Sequence, residues 1–300
     1  MGVLEQGLWR PTKTIDQLSH EDTFSNDVVA ESGRYHLYVS KACPFAHRPW
    51  LVIKLLGLDD VISVSTVASV RHGEGWEFTD ESPDPILNSN DLKSLYVHSN
   101  HTYSGRVTVP ILWDKKENKI VSNDSAKLAY IFATQWQHLG NNPIELVPSK
   151  LIEEIEAMNE WLHKNINRRV YQAGFATQQD VYERETQTLF ESLDNLEQKL
   201  SHSNFVLGDK MTLSDLFLFP TLIRFETVYE VHFKANLRML REYPSLYQYM
   251  QNMLSINSLR KTIDMSHILE HYYLSHRHIN PSGLIPLGPR PKWLDVFDIR

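Results

Sequence analysis

The stretch around Cys43 constrains the fold of this chain more than any other part of the sequence. Residues 35–39 form an apolar run that predicts a buried strand, and Pro44 opens an apolar segment that reaches Gly57. Proline is favoured in the first position of a helix because its missing N–H has no helical partner to lose, and glycine commonly ends a helix. The sequence therefore predicts a strand, then Cys43, then a helix.

Cys43 is the only cysteine in the 300 residues. The first N–H groups of a helix have no helical partners and carry the positive end of the helix dipole, so a thiol there is stabilised as thiolate, its nucleophilic form. Lys41 and Arg48 add positive charge nearby. Position 46 is alanine, so Cys43 is not part of a C-x-x-C dithiol. Because the chain has no other cysteine, any disulfide that Cys43 forms needs an external thiol. The position at a helix start favours a reactive thiol over the alternative that Cys43 is a small buried apolar residue. The external thiol is then expected to be glutathione or a similar small thiol.

Length and charge restrict the classes of protein to which this chain can belong. Three hundred residues are enough for two domains with a core each. The net charge of −7 argues against nucleic acid as the main partner, and a single cysteine fits a reducing compartment. Residues 1–6 lack the pattern of a signal peptide, and no apolar run is long enough to span a bilayer. We therefore expect a cytoplasmic protein that binds neither nucleic acid nor membrane.

The N-terminal half predicts a strand–helix–strand unit followed by a long irregular connection. Residues 61–67 alternate and are rich in β-branched side chains, which predicts a second strand parallel to the first. Residues 68–106 are mostly Gly, Pro and polar residues, and a connection this long is commonly functional or an insertion. Trp76 lies within it, either as a lid over a ligand or as an anchor for the loop. Residues 1–33 predict an extended arm packed on the body.

A strand, a hairpin and a helix complete the predicted first domain. Val109-Pro110 precedes an apolar strand and looks like the cis-proline of the thioredoxin fold, whose bend turns the backbone of the preceding residue toward a ligand. After the hairpin, Asp124 and Ser125 open a helix. They form either a simple helix cap or a site for the charged ends of a ligand, in which Ser125 binds a carboxylate and Asp124 an ammonium group.

The sequence predicts only helices after a loop-like segment near residue 140, where we place the domain boundary. Thr212 and Asp215 form a capping box, which favours a structural over a catalytic role for Asp215. The helix that follows is predicted to reach Tyr229, with a kink at Pro220.

Two histidines, His267 and His271, share one face of a later predicted helix and could ligate a metal. No third ligand occurs at a recognisable spacing, so the sequence predicts no metal site.

Motifs along nearly the whole chain resemble the glutathionyl-hydroquinone reductases, the Xi class of omega-like glutathione transferases. The matching stretches are residues 43–48, 75–78, 105–114, 170–176, 224–229, 232–234, 271–273 and 279–283. The resemblance implies the glutathione transferase architecture, with an α/β thioredoxin-like domain of order βαβ-ββα over residues 1–140 and an all-helical substrate domain over residues 141–300. It also implies a homodimer, glutathione as co-substrate and glutathionylated quinols as substrates.

The resemblance also implies roles for individual residues. Cys43 would be the catalytic thiol, and Tyr171 with one or both of Tyr272 and Tyr273 would lie in the site for the aromatic substrate. Trp76 would stack on glutathione, Arg106 would pair with one of its carboxylates, and Val109 would offer its backbone to the cysteinyl part. The residues expected to bind glutathione are Phe45, Trp76, Arg106, Val109, Asp124 and Ser125.

Three positions depart from the family pattern, and two other functions stay open. Phe45 stands where the family usually has Trp, Asp124 where it usually has Glu, and Pro49 where it often has Thr. Pro49 is expected to disturb the helical bond to the carbonyl of Phe45. The rival enzyme is an omega-like thiol transferase or dehydroascorbate reductase with the same Cys43 chemistry. The other rival is a non-catalytic glutathione-binding scaffold, because fold does not fix function.

Overall fold

The structure, a computed structural model, describes residues 2–73 and 75–297. This part of the chain forms two compact units, the first ending at Pro143 and the second beginning at Ile144. The sequence placed the boundary after residue 140, and the outermost residues of the two predicted domains lie outside the described part. Within residues 2–73 and 75–297, none of the helices combines the length and the hydropathy that a transmembrane segment needs.

The first unit begins with a short hairpin rather than the expected extended arm. Strands β1 (Val3–Glu5) and β2 (Leu8–Arg10) pair antiparallel through a turn at Gln6 and Gly7, both of which have positive φ. The backbones of β1 and Gly105 exchange two hydrogen bonds of 2.9 Å. The prediction of an extended arm is therefore wrong for this segment, because a two-residue turn with positive φ favours a hairpin.

A four-stranded mixed sheet forms the centre of the first unit. Its further strands are β3 (Tyr35–Val39), β4 (Ser63–Thr66), β5 (Ile111–Asp114) and β6 (Lys119–Ser122). The spatial order is β4-β3-β5-β6, with β3 parallel to β4 and the other pairs antiparallel. This confirms the predicted parallel strand–helix–strand unit and the predicted hairpin. The peptide bond between Val109 and Pro110 is cis, as the resemblance to the thioredoxin fold suggested.

Three helices belong to this unit: α1 (Pro44–Leu56), α2 (Leu92–Ser99) and α3 (Ser125–Thr134). Helix α1 ends at Gly57 in the left-handed conformation, packs against α3, and continues through Pro49. Helix α2 was not predicted, so the expected order βαβ-ββα lacks one helix. Polar residues dominate the segment around α2, and the apolar face of this helix is short. The sequence therefore shows no clear helical periodicity there.

The second unit is helical, as predicted. Its helices are α4 (Ile152–Leu162), α5 (Arg169–Gly174), α6 (Gln179–Leu200), α7 (Leu213–Leu222), α8 (Pro244–Ser255), α9 (Asn257–Arg260) and α10 (Met265–Ser275). Helices α5 and α6 pack against each other, as do α4 and α7. The fully buried α7 forms the centre of this unit, with ten consecutive buried residues.

The capping box predicted for α7 is confirmed, and it gives Asp215 a structural role. The buried carboxylate of Asp215 accepts bonds from the N–H groups of Val206 (2.9 Å) and Thr212 (2.8 Å), and from the hydroxyl of Tyr249 (2.9 Å). The predicted helix does not reach Tyr229 as one α-helix. It ends at Leu222 and is followed by a π-helical turn, Phe225–Tyr229.

Candidate active site

Cys43 caps the first helix of the first unit. Its backbone is extended (φ −77°, ψ 115°), Pro44 occupies the first helical position, and Cys43 Sγ accepts a bond from the N–H of Ala46 at 3.4 Å. The thiol lies 3.9 Å from the carbonyl oxygen of Val109, the residue before the cis proline. Its side chain is partly exposed. The sulfur therefore lies at the positive end of α1, where helix N–H groups stabilise a thiolate.

Arg71 provides a positive charge that interacts with Cys43. Burial lowers the pKa of the Arg71 guanidinium, and the negative charge of the Cys43 thiolate opposes that shift. The guanidinium lies 5.5 Å from the centroid of the Trp76 ring. Arg48, one of the two cations expected near the thiol, is buried, with its guanidinium 4.8 Å from the centroid of the Phe45 ring. The sequence carried no signal for Arg71, because a basic residue in a polar loop resembles any solvated side chain.

Trp76 anchors the long connection between β4 and α2. Its side chain is 7% exposed, and its carbonyl accepts the N–H of Leu92 at 2.9 Å. Further along the loop, Asp84 accepts a 2.5 Å bond from the hydroxyl of Tyr38 and bonds from the backbone N–H groups of three residues that follow it. The connection is thus fixed at two points. The stacking of Trp76 on glutathione stays a prediction.

Asp124 and Ser125 lie at the start of α3, as predicted. One carboxylate oxygen of Asp124 accepts bonds from the N–H groups of Ala126 and Lys127, both at 3.0 Å, so Asp124 is the helix cap. Ser125 is the first residue of the helix. The side chain of Arg106 is exposed. The contacts of these residues with glutathione stay predictions.

Three tyrosine hydroxyls meet in the second unit. The hydroxyl oxygens of Tyr171 and Tyr272 are 2.5 Å apart, and those of Tyr272 and Tyr229 are 3.3 Å apart. Tyr229 and Tyr272 are buried, whereas Tyr171 is partly exposed. Burial raises the pKa of Tyr272 well above its ordinary value, and the charge of buried Arg224 opposes that shift. The Tyr272 hydroxyl therefore keeps its proton at neutral pH, and Tyr171 is the one partly accessible member of the three.

Tyr273 does not belong to this hydroxyl cluster. Its hydroxyl donates a 2.9 Å bond to the backbone carbonyl of Thr227, and burial raises its pKa. The sequence left open which of Tyr272 and Tyr273 faces the predicted substrate site. In the structure, only Tyr272 of the two shares a hydrogen bond with Tyr171.

Aromatic rings surround the three hydroxyls. The ring of Phe233 stacks on Tyr229 with centroids 5.5 Å apart and an interplanar angle of 8°. His232 and His276 share a 3.1 Å contact between ring nitrogens, and burial lowers the pKa of His232 to about 4. Sequence reasoning gave no role to Tyr229 or Phe233, although both lie in stretches that carried the resemblance. Within residues 2–73 and 75–297, no group of three or more His, Cys, Asp or Glu side chains is placed to hold a metal ion.

Two family models match the sequence, one in each half of the chain. The model described as Glutathione S-transferase, N-terminal domain, matches residues 42–135. The model described as Glutathione S-transferase, C-terminal domain, matches residues 179–252. The first match includes Cys43, the cis proline and the start of α3.

Individual proteins are similar over nearly the whole length. Glutathionyl-hydroquinone reductase YqjG of Escherichia coli is 41% identical over 278 residues, which covers 91% of this chain and 84% of that protein. Glutathionyl-hydroquinone reductase PcpF of Sphingobium chlorophenolicum is 38% identical over 302 residues and 96% of each chain. Among solved structures, a Xi-class glutathione transferase from Natrialba magadii has a TM-score of 0.94 at 36% identity and covers 98% of this chain and 94% of its own. The glutathione-bound structure of YqjG has a TM-score of 0.89 at 37% identity, with 97% of both chains covered.

Proposed function

The chain belongs to the glutathionyl-hydroquinone reductases, the Xi class of the glutathione transferases, and on that premise we propose that it reduces S-glutathionyl-hydroquinones to hydroquinones through a Cys43–glutathione mixed disulfide. Glutathione is the co-substrate and leaves as its disulfide. The observation that carries the proposal is the placement of the single cysteine at the start of α1, with its Sγ facing the Val109 carbonyl.

In the first half-reaction, the Cys43 thiolate attacks the sulfur of the substrate. The new bond joins Cys43 Sγ to the glutathione sulfur, the sulfur–carbon bond of the ring breaks, and its electron pair goes to the ring carbon. That carbon takes a proton from a tyrosine hydroxyl acting as general acid, and the hydroquinone leaves. Protonated tyrosines suit this step, because burial holds the pKa of Tyr272 far above neutrality.

In the second half-reaction, a second glutathione thiolate attacks the glutathione sulfur of the mixed disulfide. Oxidised glutathione leaves, and the Cys43 thiolate is regenerated by thiol–disulfide exchange. The two electrons that reduce the ring carbon thus come from two glutathione sulfurs, one from the free thiol and one from the thioether of the substrate, which end in one disulfide. Since each half-reaction releases a product before the next substrate binds, the kinetics should be ping-pong.

Glutathione is proposed to bind to the first unit next to Cys43. The Val109 backbone would pair with its cysteinyl part, and Asp124 and Ser125 with its γ-glutamyl end. Support comes from the position of Ser125 as the first residue of α3 and from the glutathione-bound relative. Phe45, Trp76 and Arg106 complete the proposed set. From the resemblance we also propose that the protein is a cytoplasmic homodimer. Light scattering of the purified protein would test the dimer.

Cys43→Ala and Cys43→Ser test the mechanism. Serine is a good helix cap and can accept the bond from Ala46 that Cys43 now accepts, so the serine variant should fold. Both variants should lose hydroquinone release by about 10³-fold or more while glutathione still binds. Mass spectrometry of the wild type after exposure to a glutathionyl-hydroquinone should find one glutathionyl group on Cys43. Full turnover by either variant would contradict the mechanism.

The rival functions give different results in the same assays. An omega-like thiol transferase or dehydroascorbate reductase would turn over a mixed disulfide or dehydroascorbate and leave glutathionyl-hydroquinone unchanged. A non-catalytic scaffold would bind glutathione but leave the Cys43 thiol unreactive toward all three substrates.

A further inference from the structure

The N-terminal segment from Asp22 to Asn26 is fixed against the body of the first unit, although it forms neither helix nor strand. The N–H of Asp22 donates a 2.8 Å bond to the carbonyl of Ser104, and the carboxylate of Asp22 accepts a 2.6 Å bond from the N–H of Ser104. The ring of Phe24 stacks on the buried ring of Tyr103, with centroids 5.7 Å apart and an interplanar angle of 12°. These contacts hold the end of the segment that carries Asn26 beside β6.

Asn26 joins this segment to the last two residues of β6. Its backbone N–H donates to the carbonyl of Val121 at 2.9 Å, and its amide Nδ2 donates to the carbonyl of Phe24 at 2.9 Å. Its Oδ1 accepts a 2.5 Å bond from the hydroxyl of Ser122. Because a carbonyl can only accept, the bond with Phe24 fixes which end of the amide faces Ser122. The backbone of Asn26 is left-handed (φ 59°), a conformation that asparagine adopts more readily than most residues.

Ser122 links Asn26 to the start of α3. Its side chain is fully buried, and its hydroxyl has a single proton. Since Ser122 donates that proton to Asn26, a lone pair is left to accept the N–H of Asp124 at 3.2 Å. Asp124 in turn caps α3, where its carboxylate accepts bonds from the N–H groups of Ala126 and Lys127. A continuous chain of hydrogen bonds thus runs from the side chain of Asn26 to the first turn of α3.

We propose that Asn26 is a positioning residue for the γ-glutamyl end of glutathione. Through Ser122 it fixes the backbone that carries Asp124 and Ser125. This role rests on the proposed function, which places the γ-glutamyl end at these two residues. A site whose groups are already held in place binds its ligand more tightly, because binding does not have to order them. Asn26 acts through Ser122 rather than by contact with the ligand.

Asn26→Gly tests this role, because glycine adopts the left-handed conformation without strain and the variant loses only the side chain. Titration with glutathione, followed by tryptophan fluorescence, should show about fivefold weaker binding, as expected for the loss of one positioning hydrogen bond. Turnover at saturating glutathione should match the wild type, since Cys43 is unchanged.

Two further variants serve as rescue and control in the same titration. Asn26→Asp keeps an oxygen that can accept the bond from Ser122, so it should bind glutathione to within about twofold of the wild type. Asn118→Gly makes the same kind of change at another left-handed asparagine (φ 52°), which is exposed and lies at the opposite end of β6 from Ser122. It should bind glutathione as the wild type does.

A shorter ligand separates positioning from a loss of structure. Cysteinylglycine lacks the γ-glutamyl group, so Asn26→Gly should bind it as tightly as the wild type does, whereas a loosened fold would weaken both ligands. Ser122→Ala should weaken glutathione binding by the same factor as Asn26→Gly. The double variant should bind no more weakly than either single variant, because both changes interrupt one chain of hydrogen bonds.

Three results would overturn the role of Asn26. Asn26→Gly could bind glutathione as tightly as Asn118→Gly does, it could weaken the two ligands equally, or its loss could multiply with that of Ser122→Ala in the double variant. A wild type that binds cysteinylglycine as tightly as glutathione would instead refute the proposed site for the γ-glutamyl end, and the role of Asn26 with it.

Discussion

Replacing Glu230 by glutamine should stabilise the protein above neutral pH and remove part of the pH dependence of unfolding. Glu230 is 2% exposed, and one of its carboxylate oxygens accepts a 2.7 Å bond from the N–H of Leu240. The other oxygen has no hydrogen-bond partner among the described residues. Burial raises the pKa of Glu230 to about 7, and the nearby charges of Glu226 and Glu242 act in the same direction, against Arg241.

The size and sign of the effect follow from that pKa. The ordinary value is 4.5, so between pH 4.5 and about 7 folded Glu230 keeps a proton that the unfolded chain has lost. The free energy of unfolding therefore falls as pH rises through this window, by up to about 1.4 kcal/mol per pH unit and about 3 kcal/mol in all. Below this window ionisation of Glu230 does not lower the free energy of unfolding. Above it the full loss of about 3 kcal/mol is present.

Equilibrium urea unfolding followed by tryptophan fluorescence between pH 5 and pH 8 measures this effect. Glu230→Gln cannot ionise, so its advantage over the wild type should grow across the range by about 2.5 kcal/mol. Glu191→Gln, on the exposed side of α6, is the matched control and should run parallel to the wild type. Parallel curves for Glu230→Gln and the wild type would refute the reasoning, because they would mean that Glu230 ionises normally in the fold.

Two other variants test the thiolate and the core of the second unit. Arg71→Leu should slow alkylation of Cys43 by iodoacetamide at pH 6 by roughly fivefold, because it removes a cation that favours the thiolate; an unchanged rate would exclude Arg71 from this role. Asp215→Ala should lower the free energy of unfolding by about 4 kcal/mol, because it leaves buried donors of Val206, Thr212 and Tyr249 without an acceptor. Chemical denaturation measures this loss, and a change below about 1 kcal/mol would contradict it.

The proposed reaction needs two kinds of chemistry, and each unit of the chain carries groups suited to one of them. The first unit carries the sulfur of Cys43, the proposed nucleophile, at a helix start, with Arg71 as a positive charge that interacts with it. The second unit carries the hydroxyl of Tyr272, whose pKa burial raises well above its ordinary value. Breaking a bond between sulfur and an aromatic carbon needs both, since the sulfur must be attacked and the carbon must receive a proton.

Local features of the fold could be predicted because they depend on neighbours in sequence. Cys43 at the start of α1 and the capping box of Thr212 and Asp215 both follow from which groups can satisfy helix termini. Helix α2 and the N-terminal hairpin were missed, because short elements in polar surroundings show too little periodicity.

The sequence by itself determined that this chain carries one thiol at a helix start and that a second, helical unit follows. It could not distinguish Tyr272 from Tyr273. Successive residues of a helix point about 100° apart, and only the packing of α10 decides which of them meets Tyr171. The contact of Tyr229 with Tyr272 and the interaction of Arg71 with Cys43 likewise join residues far apart in sequence. Tertiary structure alone brings such groups together, because side-chain contact depends on how separate elements pack.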